Sequence, residues 1–171
     1  MWKQKQPSIY YQNLKNKVLF IRKKDLSVFK KKRNLKSGKG RICIHKSTKS
    51  KIHEMVVFHK KNAYVRPHKH LNKVESFQVI KGDVTLIIFN NYGKPIKKIH
   101  MGEYASGKIF FYKMQKSYFH TQIINRDTVF KEVTNGPFIK KKTLEAKWSP
   151  KDFDKKKVKD YLTFLKNYRI K

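Results

Sequence analysis

Cysteine is nearly absent from this chain, and the single Cys43 rules out an internal disulfide framework. A lone thiol fits a reducing compartment. Long apolar runs are also missing: no stretch approaches the roughly 18–20 residues that a membrane-spanning helix needs. The start, MWKQKQPSIYYQNLK, has neither a continuous apolar segment nor a small-residue cleavage site, so no secretory signal is expected. Together these absences predict a cytoplasmic protein without a membrane span. Acids are scarce too: 11 Asp and Glu face 43 Lys and Arg, a formal charge of +32 over 171 residues. Arginine is scarce within that excess, occurring only at 22, 33, 41, 66, 126 and 169. Base readout and bidentate phosphate contacts favour arginine over lysine. The lysines are spread along the whole chain beside abundant Asn, Ile, Tyr and Phe, the bias of an AT-rich coding sequence. A solvated basic surface is therefore expected, with no specific nucleic-acid site. The same field draws in a small anionic ligand.

What is present is a regular series of short β runs. From Arg41 to Val133 come RICIH, HEMVVFH, AYVRPHKH, ESFQVI, VTLIIF, PIKKIHM, KIFFY, YFHTQII and VFKEV. Polar turns such as KKN, LNK, KGD and NRD separate them, which predicts an all-β sandwich or small barrel. VTLIIF is apolar on both faces and predicts a strand covered on both sides. The first 40 residues read as an extension. It holds a strand-like VLFI run, a short helix from Asp25 to Lys32 and a loop ending SGKG; that loop lacks Walker spacing. After Trp148, Ser149-Pro150 and the acids Asp152 and Asp154 open a helix. Val158, Tyr161, Leu162, Leu165 and Tyr168 then follow helical spacing, predicting an amphipathic helix that packs on the barrel or on a second subunit. The expected organisation is an N-terminal extension (1–40), a β-barrel (41–148) and a C-terminal helix (149–171).

The chemistry concentrates in YVRPHKHLNKVESFQVIKGD, residues 64–83. His68 and His70 are two apart and share a strand face, as do Tyr64 and Arg66 by the same parity. LNK supplies a turn that can bring Glu75 back beside the histidines, and KGD turns the chain again at Gly82. Two imidazoles and a carboxylate converging on one point make a first-row metal site. His120, on a later strand, is the best fourth ligand. Arg66 is expected either to grip an anionic group on a ligand or to pair with an internal acid such as Glu54. Tyr64 is placed to donate a hydrogen bond or relay a proton, and Tyr64 and Phe77 to line the pocket or fill core. His53, His59 and His100 read as ordinary strand histidines, and Cys43 as a buried small hydrophobe.

His-x-His, four residues, Glu, six residues, Gly is the first cupin motif, met by His68, His70, Glu75 and Gly82. RICIHKS, HEM, the 64–90 run, FHT, TNGPF and WSP together resemble the WbuC family of cupin-fold metalloproteins over roughly residues 20–150. The resemblance implies a single cupin domain, a jelly-roll barrel. It implies a divalent metal (Zn, Fe, Mn, Ni or Co) on His68, His70, Glu75 and His120, and a homodimer. It also implies a link to bacterial surface-polysaccharide (O-antigen) biosynthesis, with a sugar or nucleotide-sugar intermediate as ligand. Two readings of activity stand: a metal-dependent enzyme (isomerase-like, epimerase-like or oxygenase), with Tyr64 and Arg66 as catalytic groups, or a metal-containing binding or regulatory protein without turnover. The chain departs from the family pattern where Asn62, Gln115, Ser117 and Ile124 replace residues usual at their places.

Overall fold

The computed structural model describes residues 2–6, 9–12, 18–29, 37–115 and 117–170. Twelve strands form two sheets. The larger contains β1 (Trp2–Gln6), β2 (Ile9–Gln12), β3 (Lys39–Cys43), β4 (Ile52–His59), β6 (Glu75–Lys81), β9 (Phe111–Met114) and β11 (Thr128–Asn135), in the order β1-β2-β3-β4-β11-β6-β9. The smaller contains β5 (His68–His70), β7 (Asp83–Phe89), β8 (Pro95–Gly102), β10 (Phe119–Ile124) and β12 (Thr143–Glu145), in the order β12-β5-β10-β7-β8. All pairings are antiparallel except β2 with β3. The all-β class read from the strand spacing is the observed one.

Alternation along each strand decides what enters the space between the sheets. Across the large sheet Cys43, Met55, Glu132, Phe77 and Tyr112 are successive register partners and form one inward row. His53, Thr134, Glu75 and Met114 form the next. From the small sheet Val84, Leu86, Met101 and Ile124 meet the apolar members of these rows in one core. That core fills one end of the barrel, and the polar members of the rows are left at the other. Cys43 lies in it, its thiol pushed up to about 11 by burial, in keeping with an inert hydrophobe.

The outer faces are covered separately. Ile87, Phe89 and Ile123 on the back of the small sheet pack against Leu165 of helix α1 (Lys155–Asn167), with Phe119, Trp148 and Tyr161 around them. VTLIIF is thus buried from both sides, as its composition requires. Asp154 caps α1 by accepting from the Lys157 amide. Tyr10, Phe29 and Ile42 form the cover on the large sheet. The extension supplies two strands that continue this sheet, and a 3₁₀ turn at Lys23–Phe29 stands where a helix from Asp25 was expected. Residues 30–36 lie outside the described residues. The VLFI run is not a strand: Val18 and Phe20 are exposed with no partner strand to cover them. No helix among the described residues is long and apolar enough to cross a membrane.

Among the described residues, two non-glycine residues take left-handed backbone. Asn62 has φ 62° and Ser117 φ 78°. Asparagine tolerates this region through local hydrogen bonding, but serine is strained there. The Ser117 amide compensates by donating to the His70 carbonyl at 2.8 Å. Gly82 has φ 117°, and a Cβ there would meet the Thr128 Oγ1 at 2.6 Å, so the motif's glycine is sterically required. A left-handed L-residue costs about 1–2 kcal/mol, and a glycine gives back roughly 0.5–1 kcal/mol through the freer unfolded chain. Ser117→Gly is therefore expected to raise the melting temperature by about 1–4 °C. Differential scanning calorimetry reads this directly, and a fall would show that the serine side chain stabilises the turn.

Candidate metal centre

At the polar end of the barrel the small sheet presents three imidazoles. His120 on β10 lies directly opposite His68 on β5, and His70 is two residues further along β5. Ring centroids are 4.6 Å apart for His68–His120, 5.0 Å for His68–His70 and 5.8 Å for His70–His120. One ring nitrogen from each lies within 4.8 Å of the others. The facing sheet contributes Glu75, whose Oε2 is 3.7 Å from His70 Nε2 and 3.9 Å from His120 Nε2. The turn at LNK brings Glu75 across from the histidines, as the spacing anticipates. The structure brings all four proposed ligands together.

Their orientation is set by a second ring of contacts. His68 Nδ1 donates to the Arg66 carbonyl at 2.8 Å, and His120 Nδ1 to the Tyr118 carbonyl at 3.0 Å. A carbonyl can only accept, so these Nδ1 atoms carry the proton and each Nε2 keeps its lone pair. His70 Nδ1 is held by the Thr143 hydroxyl at 3.0 Å. The Tyr112 hydroxyl donates to Glu75 Oε1 at 2.5 Å and leaves Oε2 for the histidines. Outer partners of this kind hold metal-ligating imidazoles and carboxylates in place. Burial, reinforced by the charge of its neighbour His120, lowers the His68 pKa to about 3, and burial also lowers that of His120. Burial alone would raise the Glu75 pKa, but His70, His120 and the Tyr112 hydroxyl outweigh it and hold the carboxyl at about 2. Neutral His68 and His120 beside an ionised Glu75 are protonation states that suit a divalent first-row ion. The donor set therefore fits such an ion without selecting one.

Tyr64 and Arg66 are not brought to this centre, which corrects their assignment as pocket groups. β5 starts at His68, and residues 62–67 are not strand, so the parity of β5 does not extend back to them. The Arg66 guanidinium instead pairs with Glu145 and donates to the Ser149 hydroxyl at 3.2 Å and the Ala146 carbonyl at 3.1 Å. The Tyr64 hydroxyl donates to the Pro150 carbonyl at 2.9 Å, and its ring packs against Val158 and Leu162. Both strap the C-terminal segment to the barrel. Glu54 turns outward to Lys131, and Phe77 is core, stacked 4.0 Å from Phe130.

A cavity of about 840 Å³ opens from the four ligands along the inner face of the large sheet. His53 and His59 line it, contrary to their reading as ordinary strand histidines, while His100 stays outside against Thr85. Arg41, Lys73 and Glu132 also line it and were not singled out in the sequence. Glu132 pairs in register with core Phe77, a signal that places a charge inside, and Arg41 shares strand parity with buried Cys43 while staying exposed to solvent. Burial and the nearby charge of Glu75 push the Glu132 carboxyl up to about 7.

A model described as a domain of unknown function (DUF6016) matches residues 29–101. No curated protein matches. Among solved structures, CapF with the inhibitor 3-isopropenyl-tropolone aligns at TM-score 0.50 and 18% identity, over 60% of this chain and 30% of that one. A variant of Bacillus subtilis oxalate decarboxylase OxdC aligns at 0.45 and 18%, over 56% and 24%. The Schizosaccharomyces pombe Cnp3 cupin domain aligns at 0.43 and 12%, over 57% and 64%. The chain spans less than a third of the length of CapF and of OxdC. The architecture is the cupin fold, with a histidine cluster able to hold a divalent metal.

The raised Glu132 pKa has a consequence for stability. Between about 4.5 and 7 the folded chain holds a proton on this group that the unfolded chain has lost, so stability falls as pH rises through that window. Glu132→Gln is expected to flatten the fall. Melting temperatures of chelator-treated protein at pH 5 to 8 test this, and parallel curves for the two proteins would refute it.

Proposed function

We propose that the chain is a cupin metalloprotein that binds one divalent first-row metal through His68, His70, Glu75 and His120 and takes a small ligand into the adjoining cavity. The observation that carries this reading is the outward anchoring of the Nδ1 atoms, which leaves three Nε2 atoms and Glu75 Oε2 converging. Such an ion supplies a Lewis acid for a ligand oxygen. The chain's own residues do the rest. Tyr112 fixes Glu75, Thr143 fixes His70, and the carbonyls of residues 66 and 118 fix the other two rings. Glu132 faces the cavity with a carboxyl poised near neutrality, placed to give or take a proton. It supplies the acid–base group, separate from the metal ligands, that the sequence lacked at first sight. The resemblance to WbuC extends the reading to a sugar or nucleotide-sugar intermediate of bacterial surface-polysaccharide biosynthesis as the ligand.

Binding without turnover is the second reading. The commitment of Tyr64 and Arg66 to the C-terminal segment favours it, because it removes two groups from the chemistry.

Elemental analysis of the purified protein tests the centre. Close to one equivalent of a first-row metal is expected in the wild type, and near none in a His68→Ala, His70→Ala double variant that still melts cooperatively. A metal-free wild type that cannot be reloaded would overturn the reading. A screen of sugar phosphates and nucleotide sugars then separates turnover from saturable binding.

A further inference from the structure

Lys73 is an anomaly in the cavity wall. The residue is 7% exposed, yet among the described residues its ammonium makes no hydrogen bond and no ion pair; it lies 4.8 Å from the Phe138 ring, in the field of Glu132 and Glu75. The ammonium faces the cavity rather than a protein acceptor, and a cation–π contact offsets only part of its desolvation. The position is not accidental slack. The loop that carries Lys73 is clamped to β11: the Val74 amide donates to the Asn135 side chain at 2.8 Å, and Asn135 donates to the Asn72 carbonyl at 2.9 Å. Lys73 therefore stands two residues before the proposed ligand Glu75, on a fixed loop, lining the same cavity.

A second cation shares the space. Arg41 comes from β3, and the one hydrogen-bonding contact of its guanidinium among the described residues is the Met55 thioether at 3.9 Å, a weak acceptor. Arginines 22, 66 and 126 each find a carboxylate; Arg41, exposed on the cavity wall, and Arg169 have none among the described residues. The cavity thus holds a fork of donors and a point charge, both short of acceptors, beside a centre whose own carboxylate is engaged by histidines and Tyr112. The other acid on the wall, Glu132, forms no ion pair with either cation.

We infer that Arg41 and Lys73 form an oxyanion subsite that holds the phosphoryl group of a small organic ligand, with the rest of that ligand directed toward the metal centre. Two cations match a phosphoryl dianion better than a single carboxylate, and arginine's fork with lysine's mobile ammonium is a common pairing for it. This rests on the reading of the cavity as a ligand site and adds the class of ligand. It also gives the basic surface a use, because a field of this sign concentrates phosphorylated metabolites at the mouth.

Calorimetric titration of the full-length protein at about 150 mM salt, with inorganic phosphate, glucose 1-phosphate and acetate as probes, tests the subsite. Lys73→Met and Arg41→Leu remove the two cations, and Lys97→Met on exposed β8 controls for loss of surface charge. Saturable binding of both phosphates is expected, weakened at least tenfold by either cavity variant and unchanged by Lys97→Met. Phosphate should raise the melting temperature of the wild type and not of Lys73→Met. Lys73→Met should itself still melt cooperatively, because the ammonium it removes makes no hydrogen bond or ion pair among the described residues. Equal weakening by all three variants, or no binding by the wild type, would overturn the subsite; tighter binding of acetate than of phosphate would do the same. Metal content measured on the same samples keeps the two ideas apart. Full metal with no phosphate binding defeats the subsite alone, and absence of metal with phosphate binding intact defeats the metal reading alone.

Discussion

One antiparallel contact organises the polar end of this molecule: the pairing of His120 on β10 with His68 at the start of β5. It sets two imidazoles side by side on the inner face of the small sheet, and β5 adds the third by simple alternation. β5 is three residues long, and its own backbone does little to hold it. It is pinned between β10 and β12, and the ring of His70 is tethered to Thr143 on β12. The centre is therefore rigid because its neighbours are, and the apolar core beneath supplies that rigidity.

The fold was legible in the sequence because short β-rich runs separated by turn residues mark the central strands, whether alternating or, like VTLIIF, apolar on both faces. The four proposed ligands were legible for the same reason, helped by a spacing that specifies a turn between His70 and Glu75. Tyr64 and Arg66 were misplaced because parity was carried backward through a segment that is not a strand; Pro67, which has no amide to donate, stands immediately before β5. The groups on the cavity wall were overlooked for a different reason. Among 43 Lys and Arg, the composition hides the two that line the cavity, and only the three-dimensional arrangement separates them from the solvated majority. Tyr112 and Gln122 looked like ordinary strand residues. Their polar role follows from a relay across the barrel: the Gln122 amide donates to the Tyr112 hydroxyl, which donates to Glu75 on the neighbouring strand.

The electrostatics divide sharply between surface and interior. Seven acids form ion pairs with lysine or arginine at or near the surface, where each pair contributes little. Glu75 and Glu132 are held inside without such partners, and their carboxyls are driven in opposite directions, one down by histidines and a tyrosine, the other up by burial and by Glu75 itself. Pairs of titratable groups pushed apart in this way are a recurring property of functional sites.

Arg66 adds a side-chain link between two regions that already meet through the β5–β12 pairing and the Ala146 amide on the Pro67 carbonyl. Its carbonyl sets the tautomer of His68, while its guanidinium grips Glu145, Ala146 and Ser149, the approach to the C-terminal helix. A single residue thus has one end in the coordination sphere's outer ring and the other in the strap. The C-terminal segment therefore grips the residue whose carbonyl orients the first histidine, although among the described residues none beyond Thr143 lines the cavity.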